Sequence, residues 1–422
     1  MSTLRRLSGT GLLLLALSPV RAQSLLVPMD QAQTDHLRAY GLTYWCLQAP
    51  RGYECDWLLN YRGGSFLLPD GPDVRTRATE LGVLVEPVSG AEVQGIYQTV
   101  AEENMERLQL TVAPRVAVYV PPDNEPWDDA VRMALEYAQI PYQTVWDREV
   151  LAGRLADCDW LHLHHEDFTG QFGKFWSTFS SQPWYRRQVL SSTTMAAELG
   201  FAGVWALKEA VAASIAEWVT QGGLLFAMCC APDSLDVALA AQGLDLVPPE
   251  IDETPAAADA QERLDFRRAM AFRDFRLVTD PMLTEISDID VQPMGEATVS
   301  HGQTFELFEF SAKQDPIVTM LTQCHVSHVP DFMGLTSAFR RSALKDNVIV
   351  LGDFPEQDKV KYIHGDYGQG TFTFLGGHDP EDFAHFVGEP ATDLAFHPHS
   401  PGYRLILNNV LFPAAKTKPR KT

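Results

Sequence analysis

Three stretches of this chain carry side chains able to do chemistry, and each follows an apolar run. The first is His162-Leu163-His164-His165-Glu166-Asp167. In extended backbone alternate side chains share a face, so His162 and His164 point the same way. Two imidazoles so placed are candidate ligands for a divalent metal such as zinc, with Glu166 or Asp167 to complete the shell or act as base. On this reading His378 joins His162 and His164 as the third ligand. His164, His165, Glu166 and Asp167 then face a bound small molecule. The plainer reading packs His162 beneath the loop and leaves the acids to bond nearby backbone.

The second stretch is Cys229-Cys230-Ala231-Pro232, which follows the apolar run Leu224–Met228. A strand–turn–helix junction lifts a nucleophile above a parallel sheet and brings backbone N–H groups, here near Ala231, to hold an oxyanion. A helix N-terminus also favours thiolate over thiol. Cysteine is equally one of the residue types most often buried.

The third is Gly376-Gly377-His378-Asp379-Pro380-Glu381. The glycines open space for a substrate beside Gly377, and an imidazole next to carboxylates suits a general base. Joined to the second stretch, it describes a cysteine hydrolase acting on an amide or related acyl bond. Cys229 attacks, His378 moves the proton, and Glu381 or Asp379 orients the ring. A capping role for Asp379 is the plainer alternative.

The elements that must position these residues read as an α/β fold. Strand-like runs at 116–120, 142–146, 160–164, 224–228 and 371–375 alternate with helix-like segments. Val131, Ala134, Leu135 and Ala138 recur at helical spacing, as do Leu207, Val211, Ile215 and Trp218, whose helix stops at Gly222-Gly223. Such alternation predicts an open, mostly parallel sheet covered on both faces, with ligands beyond the carboxyl ends of its strands. Residues 23–113 read as a smaller α/β unit. It has a strand at 25–28, a helix running to 37, two strands flanking the turn 60–64, and a polar helix over 91–108. The main domain spans 114–415, with an elaboration over about 243–347 that breaks the rhythm, and a basic tail follows at 416–422.

The pattern Tyr367-Gly368-Gln369-Gly370, then Gly377-His378-Asp379-Pro380-Glu381 and a closing helix over 403–411, resembles the ending of ThuA-like (trehalose-utilisation) proteins. These are a branch of the class I glutamine-amidotransferase-like superfamily. The order of strand, elbow, histidine and acid is similar to that superfamily over roughly residues 114–415. The resemblance implies a flavodoxin-like sheet and either amide hydrolysis or a sugar-processing or sugar-binding role. The elbow departs from Gly-x-Cys-x-Gly, reading Ala227-Met228-Cys229-Cys230-Ala231, and the His-Pro-Glu pair gains a residue. The chain also resembles exported bacterial proteins called asparagine synthetase B. That chemistry needs an N-terminal cysteine and a Ser-Gly-Gly-x-Asp-Ser loop, whereas Gln23 leads the processed chain and Arg62-Gly63-Gly64-Ser65-Phe66 differs, so synthetase activity is not expected.

Composition narrows the field. Residues 1–22 have a signal's features: Arg5 and Arg6, a short apolar run, and Val20-Arg21-Ala22 at the cleavage site. The protein is expected to be exported, periplasmic or secreted, with no transmembrane segment after cleavage. The formal charge is −22 across 422 residues, which repels phosphate backbones and excludes nucleic acid as a partner. Cys46 and Cys55 bracket a short turn and are candidates for a local disulfide. A third reading makes the protein a non-catalytic envelope scaffold, with aromatic residues between 168 and 185 facing a partner.

Overall fold

Short apolar runs bounded by Gly, Pro and Asn form the strands, and polar residues at their ends cap the helices that follow. The computed structural model describes residues 24–122, 129–291, 302–383, 388 and 390–415. The expected signal and the basic tail lie outside the described residues.

The N-terminal unit is built on β1 (Ser24–Val27), β2 (Cys55–Leu59), β3 (Ser65–Pro69), β4 (Glu86–Val88) and β5 (Glu106–Leu110), in the order β4-β1-β3-β2-β5. Every pairing in it is antiparallel. The helix expected to reach residue 37 instead begins there: Asp35 accepts from Arg38 N at 2.9 Å and starts the buried helix His36–Leu47. The polar run 91–108 divides into the helix Gly90–Glu102, opened by a Ser89/Glu92 capping box, and β5. Cys46 and Cys55 are free, buried thiols whose side chains hydrogen-bond to each other.

The main sheet has nine strands. They are β6 (Val116–Tyr119), β7 (Gln143–Val145), β8 (Trp160–Leu163), β9 (Leu224–Met228), β10 (Thr304–Leu307), β11 (His328–Pro330), β12 (Ile349–Asp353), β13 (Val360–Tyr367) and β14 (Gly370–Leu375). Their order is β11-β10-β12-β13-β14-β9-β8-β6-β7. The half from β14 to β7 is parallel and the half from β11 to β14 antiparallel. The fold is α/β, but its sheet is mixed rather than mostly parallel. The elaboration at 243–347 contributes β10 and β11 to this sheet. β12 follows the apolar run Val348–Leu351 and was not among the expected strands, while in β13 the buried polar residues Lys361 and His364 interrupt the pattern.

The two faces of the parallel half follow the period of two. Val116, Val118, Trp160, Phe226 and Met228 pack toward the N-terminal unit and the helices Ala130–Tyr137 and Pro401–Leu411. Ala117, Tyr119, Leu161, Leu163, Leu225 and Ala227 pack toward the helices Val204–Thr220 and Ala231–Ala240. Among the described residues, no helix is long and apolar enough to cross a membrane.

Candidate metal centre

β8, β9 and β14 are neighbours and parallel, so their carboxyl ends reach the same rim. The strand β8 delivers His162, and His164 and His165 follow as it ends. Cys229 follows β9, and His378 follows β14. At the rim His164, His165 and His378 each offer a ring nitrogen, and these atoms lie within 4.8 Å of one another. His378 meets His164 edge-on at 4.4 Å between ring centroids, and stacks on His165 at 5.8 Å with 6° between planes. His164 and His378 are buried, while His165 is partly open. Three imidazoles this close suit a metal of the zinc type.

Behind them lies a fourth imidazole and a carboxylate. Asp129 caps the helix after β6, accepting from Val131 N at 2.8 Å and Arg132 N at 3.1 Å. Its Oδ1 is 3.3 Å from His162 Nε2 and 3.6 Å from His164 Nδ1. Burial works to raise this carboxyl, but the imidazoles of His162 and His164 outweigh it and hold the group below its ordinary range. His162 Nδ1 lies 3.2 Å from the carbonyl of Phe226, and its Nε2 lies 3.2 Å from His164 Nδ1. Asp129, His162 and His164 also form a group with ligand atoms within 4.8 Å. His162 was expected as a ligand beside His164 and His378. It lies between Trp160 and Phe226 and groups with Asp129 and His164, while His165 joins His164 and His378 at the rim.

The acids divide by environment. Glu166 Oε2 accepts from His164 N at 3.2 Å, and Oε1 lies 3.9 Å from His165 Nε2. Burial, then the nearby charge of Asp129, pushes Glu166 up to about 8. Asp167 is a loop organiser rather than a base: Thr169 N and Oγ1 donate to Oδ1, and Gly173 N donates to Oδ2. A cavity of about 40 Å³ adjoins the rim, with His165, Glu166, Trp146, Phe172, Phe175 and Lys208 in its wall.

The cysteine arrangement is less complete. Cys229 sits at φ 55°, a left-handed backbone uncommon outside glycine and frequent at functional turns. It is buried beside Cys230. The N–H of Ala231, expected to face an oxyanion, donates to the carbonyl of His164 at 3.1 Å. The Cys229 side chain, together with burial, pushes the Cys230 thiol well above its ordinary range. Asp379 accepts from Tyr403 OH at 2.7 Å, Glu381 N at 2.9 Å and Thr392 Oγ1 at 2.5 Å. Glu381 pairs with His397 at 3.0 Å. The two acids therefore fasten the segment after His378 to the closing helix and its lead-in. Gly377 donates to Thr336 O at 2.8 Å and accepts from Cys229 N at 3.0 Å. It shapes the turn, its N–H and carbonyl both bonded within the fold.

Asp129 was not singled out from the sequence. Its signal was the position of an acid between the end of β6 and the first apolar residue of the following helix, where an N-cap belongs.

No protein-family model matches this chain, and neither does any curated protein. Among solved structures, two cytoplasmic proteins of Salmonella typhimurium are similar at 11% identity and TM-scores of 0.34 and 0.35. Each comparison covers 72% of this chain and 100% of the other. A catalytic mutant of Gan42B, a GH42 beta-galactosidase from G. stearothermophilus, is similar at 12% identity and a TM-score of 0.26, over 63% of this chain and 27% of that one. Likenesses this distant assign neither fold family nor activity.

Proposed function

We propose that this protein is an exported, metal-dependent enzyme of amidotransferase-like architecture, acting on a small polar molecule at the rim above β8, β9 and β14. The single observation that carries the reading is the convergence of His164, His165 and His378 within 4.8 Å. These three residues would hold a zinc-type ion, and the ion when bound supplies Lewis acidity toward a substrate oxygen. Glu166, between the imidazoles and the cavity, is placed to move a proton. His165 is the ligand nearest to solvent and marks the side from which substrate arrives.

The architectural part of the reading is supported by strand order. Numbered along the chain, the five parallel strands lie 2-1-3-4-5, the order of flavodoxin-like sheets, in which ligands bind at the crevice between strands 1 and 3. Asp129 caps the helix that follows strand 1, and His162 lies on strand 3. The ThuA-like ending, Gly377-His378-Asp379-Pro380-Glu381, supports placing the chain in that branch. The signal-like residues 1–22 support export.

The test is metal content. Protein purified without chelator is expected to hold about one equivalent of a transition metal, and His164→Ala and His378→Ala are expected to lose it. A wild-type protein that stays metal-free after incubation with zinc and desalting would overturn the reading. A cysteine hydrolase is the second reading, favoured by the left-handed backbone at Cys229. It requires that Cys229→Ala abolish turnover while leaving metal content unchanged.

A further inference from the structure

We infer that Asp129 is the positioning residue of this centre, acting through His162 and His164 to set which nitrogen His164 presents at the rim. The inference rests on the metal reading and goes beyond it to how the site is tuned. The carbonyl of Phe226 can only accept, which assigns a proton to His162 Nδ1 at 3.2 Å. Asp129 Oδ1 can likewise only accept, and it faces His162 Nε2 at 3.3 Å and His164 Nδ1 at 3.6 Å, so both nitrogens turn a proton toward the carboxylate. His164 therefore carries its proton on Nδ1 and keeps the Nε2 lone pair for a metal. The Asp129 carboxylate lies 3.3 Å and 3.6 Å from the two rings, fixed by two backbone N–H groups at the start of a helix. A buried negative charge so held makes the His164 imidazole a stronger donor and restrains its ring, as carboxylates behind metal-binding histidines do.

Sequence alone conceals this link, because Asp129 and His162 are far apart in the chain and meet only where the sheet order reverses.

The variant Asp129→Asn tests it cleanly. Asparagine caps helices about as well as aspartate, so the hydrogen bonds from Val131 and Arg132 survive while the charge is removed. Competitive titration of the full mature chain with zinc against a chromophoric chelator reads affinity, and the visible spectrum of the cobalt-loaded protein reads ligand geometry. Asp129→Asn is expected to weaken zinc binding by about 10- to 100-fold and shift the cobalt bands, with an unchanged thermal midpoint of the metal-free protein. His162→Gln, which leaves the cap untouched, is expected to weaken zinc in the same direction. If wild type binds zinc and both variants bind it equally well, the positioning role is wrong and the metal centre stands. If wild type binds no zinc, the metal reading itself has failed.

Discussion

Cys229 donates its backbone N–H to the carbonyl of Gly377 at 3.0 Å, closing the ends of β9 and β14 against each other. This bond brings the cysteine turn and the histidine turn to one rim, although 149 positions separate Cys229 from His378 in the numbering. The neighbours of each turn then decide its chemistry. His378 meets two further imidazoles, whereas Cys229 meets Cys230 and a backbone already committed to hydrogen bonds.

Thiol reactivity separates the two readings of this rim. Cys229 and Cys230 are buried at 1% and 3% exposure, and Cys324 is partly open. A thiol-directed probe on the folded protein is expected to modify Cys324 first, and Cys229→Ala is expected to retain metal content. Faster labelling of Cys229 than of Cys324 would favour the hydrolase.

Glu381 should matter little to the centre. Its carboxylate pairs with His397 at 3.0 Å, so Glu381→Gln is expected to change zinc affinity by less than about twofold, the pair being partly exposed and therefore weak. A loss comparable to that of His378→Ala would place the carboxylate in the site.

The turn that carries His378 depends on a buried post. Lys361 Nζ donates to Asp331 Oδ1, Phe332 O and Ser337 O, each at 2.7 Å, while Lys361 O accepts from Gly376 N at 2.8 Å. Gly377 stands at φ 92°, and a Cβ there would come 2.5 Å from Phe332 Cδ2 and 2.9 Å from Lys361 Nζ. Gly377→Ala is therefore expected to destabilise the fold by more than about 1 kcal/mol. Lys361→Met, which leaves the buried Asp331 carboxylate only Lys359 Nζ at 3.6 Å as a cation, should cost up to about 3 kcal/mol. Urea unfolding of each variant checks both. Wild-type midpoints would show that the segment 331–337 does not need this anchor.

Acid should loosen the junction between the N-terminal unit and the main sheet. His36 stacks on His325 at 4.3 Å and has His399 Nδ1 at 3.0 Å; Arg404 from the closing helix lies 3.3 Å from His325, and Asp30 flanks His36 from the turn after β1. Burial and then Arg404 pull His36 down to about 3 and His325 down to about 4. Both titrate near 6.5 when unfolded, so the unfolded chain takes up protons first as pH falls. The stabilisation is complete above about pH 6.5 and is lost as pH drops toward 4. For His36 the loss is roughly 2 kcal/mol after allowance for solvent screening. Urea midpoints at pH 7 and 4.5 should differ less in His36→Gln than in wild type, and an equal difference would refute this origin.

Much of the parallel half was legible, because β6 and β9 are continuous apolar runs and the helices Ala130–Tyr137 and Val204–Thr220 keep a 3.6-residue period. The antiparallel half was not, since Lys361 and His364 lie buried within β13 and imitate surface positions. At the site, the rule that ligands gather where parallel strands end pointed to His164 and His378, whose rings meet at 4.4 Å, and to His165 as a residue facing a bound molecule. It could not show that His162 lies behind them, or that Asp379 and Glu381 turn toward Tyr403 and His397. Those outcomes depend on which partner each polar group meets once buried, and a chain read in order carries no such pairing.

X-ray absorption of the zinc-loaded protein reads the metal's ligands themselves. Imidazole scattering from three histidines at about 2.0–2.1 Å is expected, with one imidazole lost in His378→Ala. A sulfur shell near 2.3 Å would contradict it, because the metal would then sit on Cys229 or Cys230 instead of on the histidine rim.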